Sequence, residues 1–503
     1  MKDLCLALVA LGCAGLAQAA PPAPFITAAS SNIKELSFAW EPVPSASRYE
    51  LWFRATPGSP WGKYTEASAP RSSISINVSV HLLDWRVARY HVKACDASGC
   101  STSNEVGVDG EQLAAIGYIK PNAADTHTWF GRQVALSADG RTMAVSTGER
   151  MGARVNSAAI HIYRKTTATS GWRREARLLP NAVQDDTVQS LAFALSADGN
   201  LLAVGLPNED ALGPNTPENT GAVYLFRRSA STWRLSQKFA GELRTDERFG
   251  FVTDLDDAGR TLVVAHWFSA SQSGTGTIEV YRDPDDASDQ FVHSATLAAP
   301  VVNGVNTLCT AASVSGDGAT LLRTCNASGR VFVDVMTGIG FGTTARIFGG
   351  LFSDVDTTHD GRRILLRLPG GAQVYDLQST GWVLSGALDG TGPISLSRDG
   401  KIAVIGSASN AFAGVGPIFP PYSNADFGSG AVAVYEGKTT GWTLRRMIKP
   451  GSTHFQFFGL AVALGDNGRI LAVGAPRDPS AATGIGGDWN DASAPERGAA
   501  WIY

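Results

Sequence analysis

Charge is scarce in this chain. Asp, Glu, Lys and Arg make up 17% of its 503 residues, and the formal net charge is -4. No block of basic residues stands out, which argues against nucleic acid as the main partner, because phosphate backbones are held by clustered cations. Long apolar runs are scarce too: the one candidate, Leu4 to Leu16, is too short to span a bilayer. The chain has no Gly-x-Ser-x-Gly elbow, no His-Glu-x-x-His and no phosphate-binding loop, so the hydrolase, zinc-protease and nucleotide-binding classes lose their usual signatures. Glycosidases stay open, since their paired carboxylates carry no short motif. The eight histidines are scattered, and no Cys/His spacing fits a zinc site.

What is present points to a globular, exported protein. Hydrophobic residues are 44% of the chain, and Gly is abundant at 55, as many tight turns require. Lys2, the apolar run and Ala17-Gln18-Ala19 form a signal-peptide pattern over residues 1–19, with cleavage expected after Ala19. Cys13 offers a lipoprotein as the alternative, although Ala10-Leu11-Gly12 fits a lipobox poorly. Secreted, periplasmic and surface-associated destinations all follow from export. Beyond the signal, Cys95, Cys100, Cys309 and Cys325 remain, and an even number in an exported chain favours disulfides. Cys95 and Cys100 flank the turn sequence Asp96-Ala97-Ser98-Gly99. Cys309 and Cys325 lie on strands joined by a Gly-Asp-Gly turn. Buried free thiols are the other reading of both pairs.

Residues 20–109 read as short alternating strands: Leu36 to Trp40, Tyr49 to Phe53, Ser73 to Val78 and Arg89 to Lys93. From residue 110 onward one pattern recurs. Two apolar strands surround a turn marked by Asp139-Gly140, Asp198-Gly199, Asp257-Ala258-Gly259, Asp317-Gly318, Asp360-Gly361, Asp399-Gly400 and Asp466-Asn467-Gly468. Such pairs favour the positive φ that tight hairpins need. A third strand follows, as in AAIHIY, GAVYLF and GAAWIY, and the fourth often opens on a tryptophan: Trp172, Trp233, Trp382, Trp442. Seven such units predict an all-β protein, a sandwich followed by a seven-bladed β-propeller over 110–503, with a solenoid as the alternative.

The last unit lacks a fourth strand. The segment Ile119-Lys120-Pro121 precedes Phe130-Gly131 much as Ile448-Lys449-Pro450 precedes Phe458-Gly459. The spacing predicts that residues near 116–121 supply the missing strand beside Ala499 to Tyr503, closing a ring.

Two family resemblances sit on these residues. LSFAWEPVPSASRYELW and ARYHVKACDASGCS resemble the B–C and F–G strands of a fibronectin type III domain, which makes Tyr90 its corner tyrosine and Trp40 a core tryptophan. FGRQVALSADGRTMAVS, GAVYLF and FGLAVALGDNGRILAVGAP resemble the FG-GAP repeat of bacterial integrin-alpha-like propellers, most clearly in the first, second and last units. That resemblance implies an extracellular propeller that binds protein or carbohydrate, often with calcium in the first turn of each unit. The turns here, such as Leu136-Ser137-Ala138-Asp139-Gly140, are too short to supply six to eight oxygen ligands. No cofactor and no metal site is therefore expected. Asp283, Asp285, Asp286 and Asp289, and likewise Asp354, Asp356 and Asp360, read as solvated loop charge, with weak metal binding as the alternative.

Strand alternation places the loops between second and third strands on one face and the Asp-Gly turns on the other. The long loops of the first kind carry Asn208, Glu209 and Asp210; Phe419, Tyr422 and Asp426; and Asp488, Trp489, Asn490 and Asp491. Aromatic rings among short polar side chains suit protein or sugar binding, while flexible decoration is the plainer reading. The expectation is a monomeric, non-catalytic binding or adhesion protein with an extracellular protein or glycan partner. A carbohydrate-active enzyme using carboxylates on that face, or an envelope scaffold, is the alternative.

Overall fold

The computed structural model describes residues 19–503 apart from 83–86, 109–113, 123–127, 152–153, 168–169, 181–190, 211–216, 267–275, 285–289, 303, 328–329, 339–340, 350–353, 410–427, 440 and 451–454. The signal-peptide segment, apart from Ala19, lies outside these residues. The described chain is all-β and divides into two compact units. The smaller is built around Glu35–Ile76, and the larger around Leu113–Tyr503 with the short segments Asn32–Lys34 and Asn77–Leu83.

The smaller unit holds a three-stranded sheet, Ile26–Asn32, Glu35–Trp40 and Ser73–Asn77, and a four-stranded sheet ordered Gly62–Ser68, Arg48–Arg54, Arg89–Cys95, Cys100–Thr102. Alternate residues point inward, as a half-buried strand requires: Ile74 and Ile76 are buried between exposed neighbours. Trp40 packs on Tyr49 with ring centroids 4.8 Å apart. The tyrosine that ties back to upstream backbone is Tyr49, not Tyr90. Its hydroxyl accepts from Val43 N at 2.7 Å and donates to Val43 O at 3.4 Å. Tyr90 instead fills the core between Phe38 and Phe53.

The larger unit contains seven four-stranded antiparallel sheets among the described residues, numbered one to seven here in chain order. Their innermost strands are Val134–Leu136, Ala192–Leu195, Val252–Leu255, Leu308–Val314, Asp354–Thr357, Ile394–Leu396 and Ala461–Leu464. Each touches the next, and the seventh touches the first, so the sheets form a closed cycle. The outer strand of sheet seven is Gly117–Ile119, paired as Ile502↔Gly117, Trp501↔Tyr118 and Ala500↔Ile119. Ring closure by an early segment of the chain is thus present, beside the strand expected.

Turn chemistry explains why the inner hairpins form. All seven turn glycines (140, 199, 259, 318, 361, 400, 468) adopt φ between 63° and 69°, where a Cβ is strained. In five turns a hydroxyl three residues before the glycine donates to the turn aspartate and accepts the N–H that opens the second strand. Ser137 does so with Asp139 and Thr142, and Ser397 with Asp399 and Ile402. The turn carboxylates also bind backbone N–H groups, as Asp139 does with Arg141.

Backbone hydrogen bonds then join each turn to the next: Ala138 N to Ala197 O, Ala197 N to Asp257 O, Asp257 N to Gly316 O, Asp317 N to His359 O, His359 N to Arg398 O, Asp399 N to Asp466 O, and Asp466 N back to Ala138 O, at 2.8 to 3.3 Å. This belt crosses every seam between sheets.

The Phe-Gly pairs have a packing role. Phe130, Phe249 and Phe458 are buried, and each forms a parallel bridge to the glycine that opens the preceding sheet's third strand: Gly498, Gly221 and Gly430. The glycine that follows enters a notch walled by a second-strand glycine. A Cβ on Gly474 would lie 1.9 Å from Gly131 O, and one on Gly406 would lie 2.0 Å from Gly459 O. Replacing Gly474 by Ala is expected to force the seam between sheets seven and one apart and to remove on the order of 3 kcal/mol of stability. Chemical denaturation of G474A against the parent checks this. An unchanged midpoint would mean that the notch is not tight.

Candidate functional site

Seven of the sequence-derived candidates on the long-loop face, Asn208, Glu209, Asp210, Asp488, Trp489, Asn490 and Asp491, are among the described residues. Phe419, Tyr422 and Asp426 lie outside the described residues. In sheet two, Glu209 is buried, not displayed. Tyr224 Oη donates to its carboxylate at 2.8 Å, and Lys238 Nζ lies 2.7 Å away. Asp210 is half-buried and accepts from Asn219 N at 2.7 Å, and Asn208 beside it is also half-buried.

Sheet seven repeats the device. Asp478 occupies the place of Glu209, each four residues after a second-strand glycine. Asp478 accepts from Tyr118 Oη at 2.7 Å, Lys120 Nζ at 2.8 Å and Ser480 N at 3.1 Å. Lys120 and Asp478 have fully buried side chains. Burial lowers the Lys120 pKa, and Asp478 opposes that shift. The anchored loop then doubles back over the closing strand: Lys120 N donates to Gly484 O and Gly486 N to Tyr118 O, both at 2.8 Å. The closing strand is held on both edges, and the loop is a strap.

Within the strap, Trp489 stands edge-on to Tyr118 at 6.2 Å and packs on Trp501 at 5.6 Å. Asp491 accepts from Ala481 N at 2.6 Å and Ser493 Oγ at 3.1 Å. Asp488 and Asn490 are exposed, with Asp488 Oδ1 accepting from Asn490 N. Of the four strap candidates, Trp489 and Asp491 brace the loop, while Asp488 and Asn490 face solvent.

In sheet three, the buried His266 sits between Glu247 Oε1 at 3.2 Å and Glu279 Oε1 at 3.4 Å. Burial works against its charge, but the two carboxylates outweigh burial and raise its pKa.

The opposite face and the axis hold a constellation that sequence reasoning missed. Five residues before each turn glycine stands a residue of the innermost strand: Ala135, Ala194, Asp254, Ser313, Asp356, Ser395 and Ala463. Three sheets place alanine there, and four place a polar group. Asp254 accepts the N–H of Val314 at 2.9 Å, Asp356 that of Leu396 at 2.7 Å, and Ser395 Oγ that of Leu464 at 3.3 Å. In each case the partner is on the next sheet's innermost strand. Asp354 and Asp356 are therefore not solvated loop charges. They are half-buried on an innermost strand whose Val355 and Thr357 point into the core. Asp360 alone of that group is an exposed turn residue. Asp283 pairs with Arg227 at 2.9 Å; Asp285, Asp286 and Asp289 lie outside the described residues.

At the mouth of the axis, His359 Nδ1 lies 2.5 Å from Asp257 Oδ2, and Arg398 Nε lies 3.1 Å from Asp257 Oδ1. Gly316 makes this possible, since a Cβ there would lie 2.0 Å from Asp257 Oδ2 and 2.5 Å from His359 Nδ1. A cavity of about 530 Å³ opens alongside, lined in part by His359, Arg362, Arg363, Arg398 and Asp376. Asp376 is engaged by Arg363 at 2.5 and 2.8 Å, and Asp360 by Thr358 at 2.7 Å.

Both cysteine pairs are joined, Cys95–Cys100 across its turn and Cys309–Cys325 across paired strands of sheet four. Two disulfides fit an oxidising compartment. Among the described residues, the one cluster with metal-ligand spacing is Glu50, Cys95 and Cys100, whose sulfurs are already bonded to each other. No helix among the described residues is long and apolar enough to cross a membrane.

Lys120 to Met should leave the Asp478 carboxylate buried without its cation and cost about 3 kcal/mol, with partial recovery on adding Asp478→Asn. Equilibrium unfolding of the single and double variants tests this. A K120M protein as stable as the parent would show that the pair does not hold the strap.

No protein-family model matches the chain, and no curated protein matches it. Among solved structures, it is similar to the β-propeller domain of Cps50 (Swd1) from Myceliophteria thermophila, at 11% identity and a TM-score of 0.48, covering 76% of this chain and 99% of that one. It is similar to the Dos1 propeller at 10% identity and a TM-score of 0.42, covering 78% and 96%. A putative 6-phosphogluconolactonase from Bacteroides uniformis is similar at 14% identity and a TM-score of 0.42, covering 66% and 88%. The structures it resembles thus include β-propellers, at identities too low to carry a function.

Proposed function

We propose that the chain is an exported, non-catalytic binding protein: a fibronectin type III-like domain followed by a seven-bladed, FG-GAP-like propeller that recognises an extracellular protein or glycan through its long-loop face. The strap of sheet seven carries this reading. Its loop is fixed from below by Asp478, Ser480 and Asp491 and from the side by Trp489, and it presents the exposed Asp488 and Asn490 to solvent. A polar platform held rigid before contact loses little entropy on binding, which favours recognition. Asn208 and Asp210 extend the same face in sheet two, above the buried Glu209. The two disulfides accord with export.

The test is a glycan and surface-protein array probed with the full chain, followed by D488A/N490A on any hit. Retention of a ligand, and its weakening by about tenfold or more in a double variant that melts normally, would support the proposal. Polysaccharide turnover without retention would replace it with the carbohydrate-active reading. Undiminished binding by the variant would move the site off the strap.

A further inference from the structure

Where the strap of sheet seven meets the ring, five side chains form an unbroken row. Phe455 and Phe457 pack with ring centroids 4.6 Å apart. The Arg477 guanidinium lies over both, 5.3 Å from the first ring and 4.7 Å from the second. Arg477 Nε is 3.3 Å from Glu496 Oε1, and Trp129 Nε1 donates to Glu496 Oε2 at 3.1 Å. The row is open to solvent: Phe455 is 41% exposed and the other four are half-buried. Arg477 and Glu496 stand at the two feet of the strap, so the row belongs to the long-loop face.

Trp129 and Phe457 adopt φ of 46° and 55°, a conformation that costs energy in a bulky residue. Each immediately precedes the phenylalanine of a Phe-Gly pair. The remaining pair has the same turn with Arg248, at φ 51°. Trp129 N donates to Glu496 O as Arg248 N donates to Asn219 O, and both acceptor residues are themselves at φ 53°. Asp246 stands before Arg248 as Phe455 stands before Phe457, and it accepts from Asn219 Nδ2 at 2.9 Å. The seam therefore sets the backbone of this turn and leaves its side chains open. Polar groups fill it between sheets two and three, so closing the cycle does not call for aromatic rings at the other two places.

We propose that Trp129, Phe455, Phe457, Arg477 and Glu496 form a carbohydrate-binding platform that takes a pyranose ring. The inference rests on the long-loop face being a recognition surface, and names the ligand class and the groups that meet it. A pyranose has an apolar C–H face rimmed by hydroxyls. The apolar face can lie on an aromatic ring, which offers a large area with little freedom to lose. Hydroxyls both donate and accept, and the Arg477–Glu496 pair presents donors and acceptors side by side. Stacking on two rings restrains Arg477, and Glu496 is held at both oxygens, so the polar groups are set before contact. Arg132 stands near enough for Arg477 to oppose its charge, which makes the platform cationic on balance and open to acidic as well as neutral sugars.

The test probes an array of neutral glycans, acidic glycans and surface proteins with the full chain, with F455A/F457G and with D488A/N490A. Glycine suits the positive φ of residue 457, so the first variant removes two rings without straining the turn. F455A alone, which removes an exposed ring, replaces it if the pair does not fold. A glycan retained by the parent should bind about tenfold or more weakly to the ring variant, in a protein that melts like the parent. Glycan binding that the ring variant leaves intact would overturn the platform, and its loss in D488A/N490A would then keep recognition on the crown of the strap. Retention of proteins alone would overturn the platform and leave the binding reading standing. Retention of nothing would overturn both.

Discussion

The larger unit depends on one constraint: a closed cycle of separate sheets must leave no seam unpaired. The belt of backbone bonds meets it with seven contacts that need no particular side chain, each made by a residue one or two positions before a turn glycine. The turn is consequently the most repetitive part of the chain. Its glycine sets φ, its hydroxyl or carboxylate fixes the hairpin, and its backbone reaches the neighbour. Side chains are then free to vary around the ring, and they do.

Two solutions fill five of the seven seams above the belt. Where the Phe-Gly pair is present, at the starts of sheets one, three and seven, a buried ring and a glycine pressed on backbone close the seam, and Ser395 adds a hydroxyl bond between sheets six and seven. Between sheets three and four and between five and six, an aspartate bonds the next strand directly. The polar seams occur where the repeat signature fades, so sequence divergence in the middle units reflects a change of interface chemistry with the ring retained. A Phe-Gly seam leaves no room for an added methyl.

Most of this architecture was legible because it rests on local rules. Asp-Gly pairs mark positive φ wherever they occur, and the paired Ile-Lys-Pro segments disclosed that an early strand stands in for a late one. What was hidden depends on radial neighbours. Asp354 and Asp356 look like surface charge in the chain, and only the closed cycle turns them onto the axis. Glu209 lies among polar residues and so resembles a loop ligand in the chain, yet its burial has a signal: Gly205 and Gly474 are each followed four residues later by an acid. Tyr90 drew the corner role from its motif, while the hydroxyl bond that defines the role belongs to Tyr49.

The strap has a consequence for how the chain reaches its fold. Tyr118 and Asp478, which meet in it, are 360 residues apart in sequence. Contacts of that separation form late, because the intervening chain must be ordered first. During vectorial synthesis, sheets one to six can assemble while sheet seven is still missing, which leaves the flank of sheet one bare and Gly117–Ile119 waiting for a partner. An exposed strand of that kind invites pairing with another chain. Closing the ring with a strand from each end of the repeat array thus leaves that early edge unpaired until the final strand pairs with it.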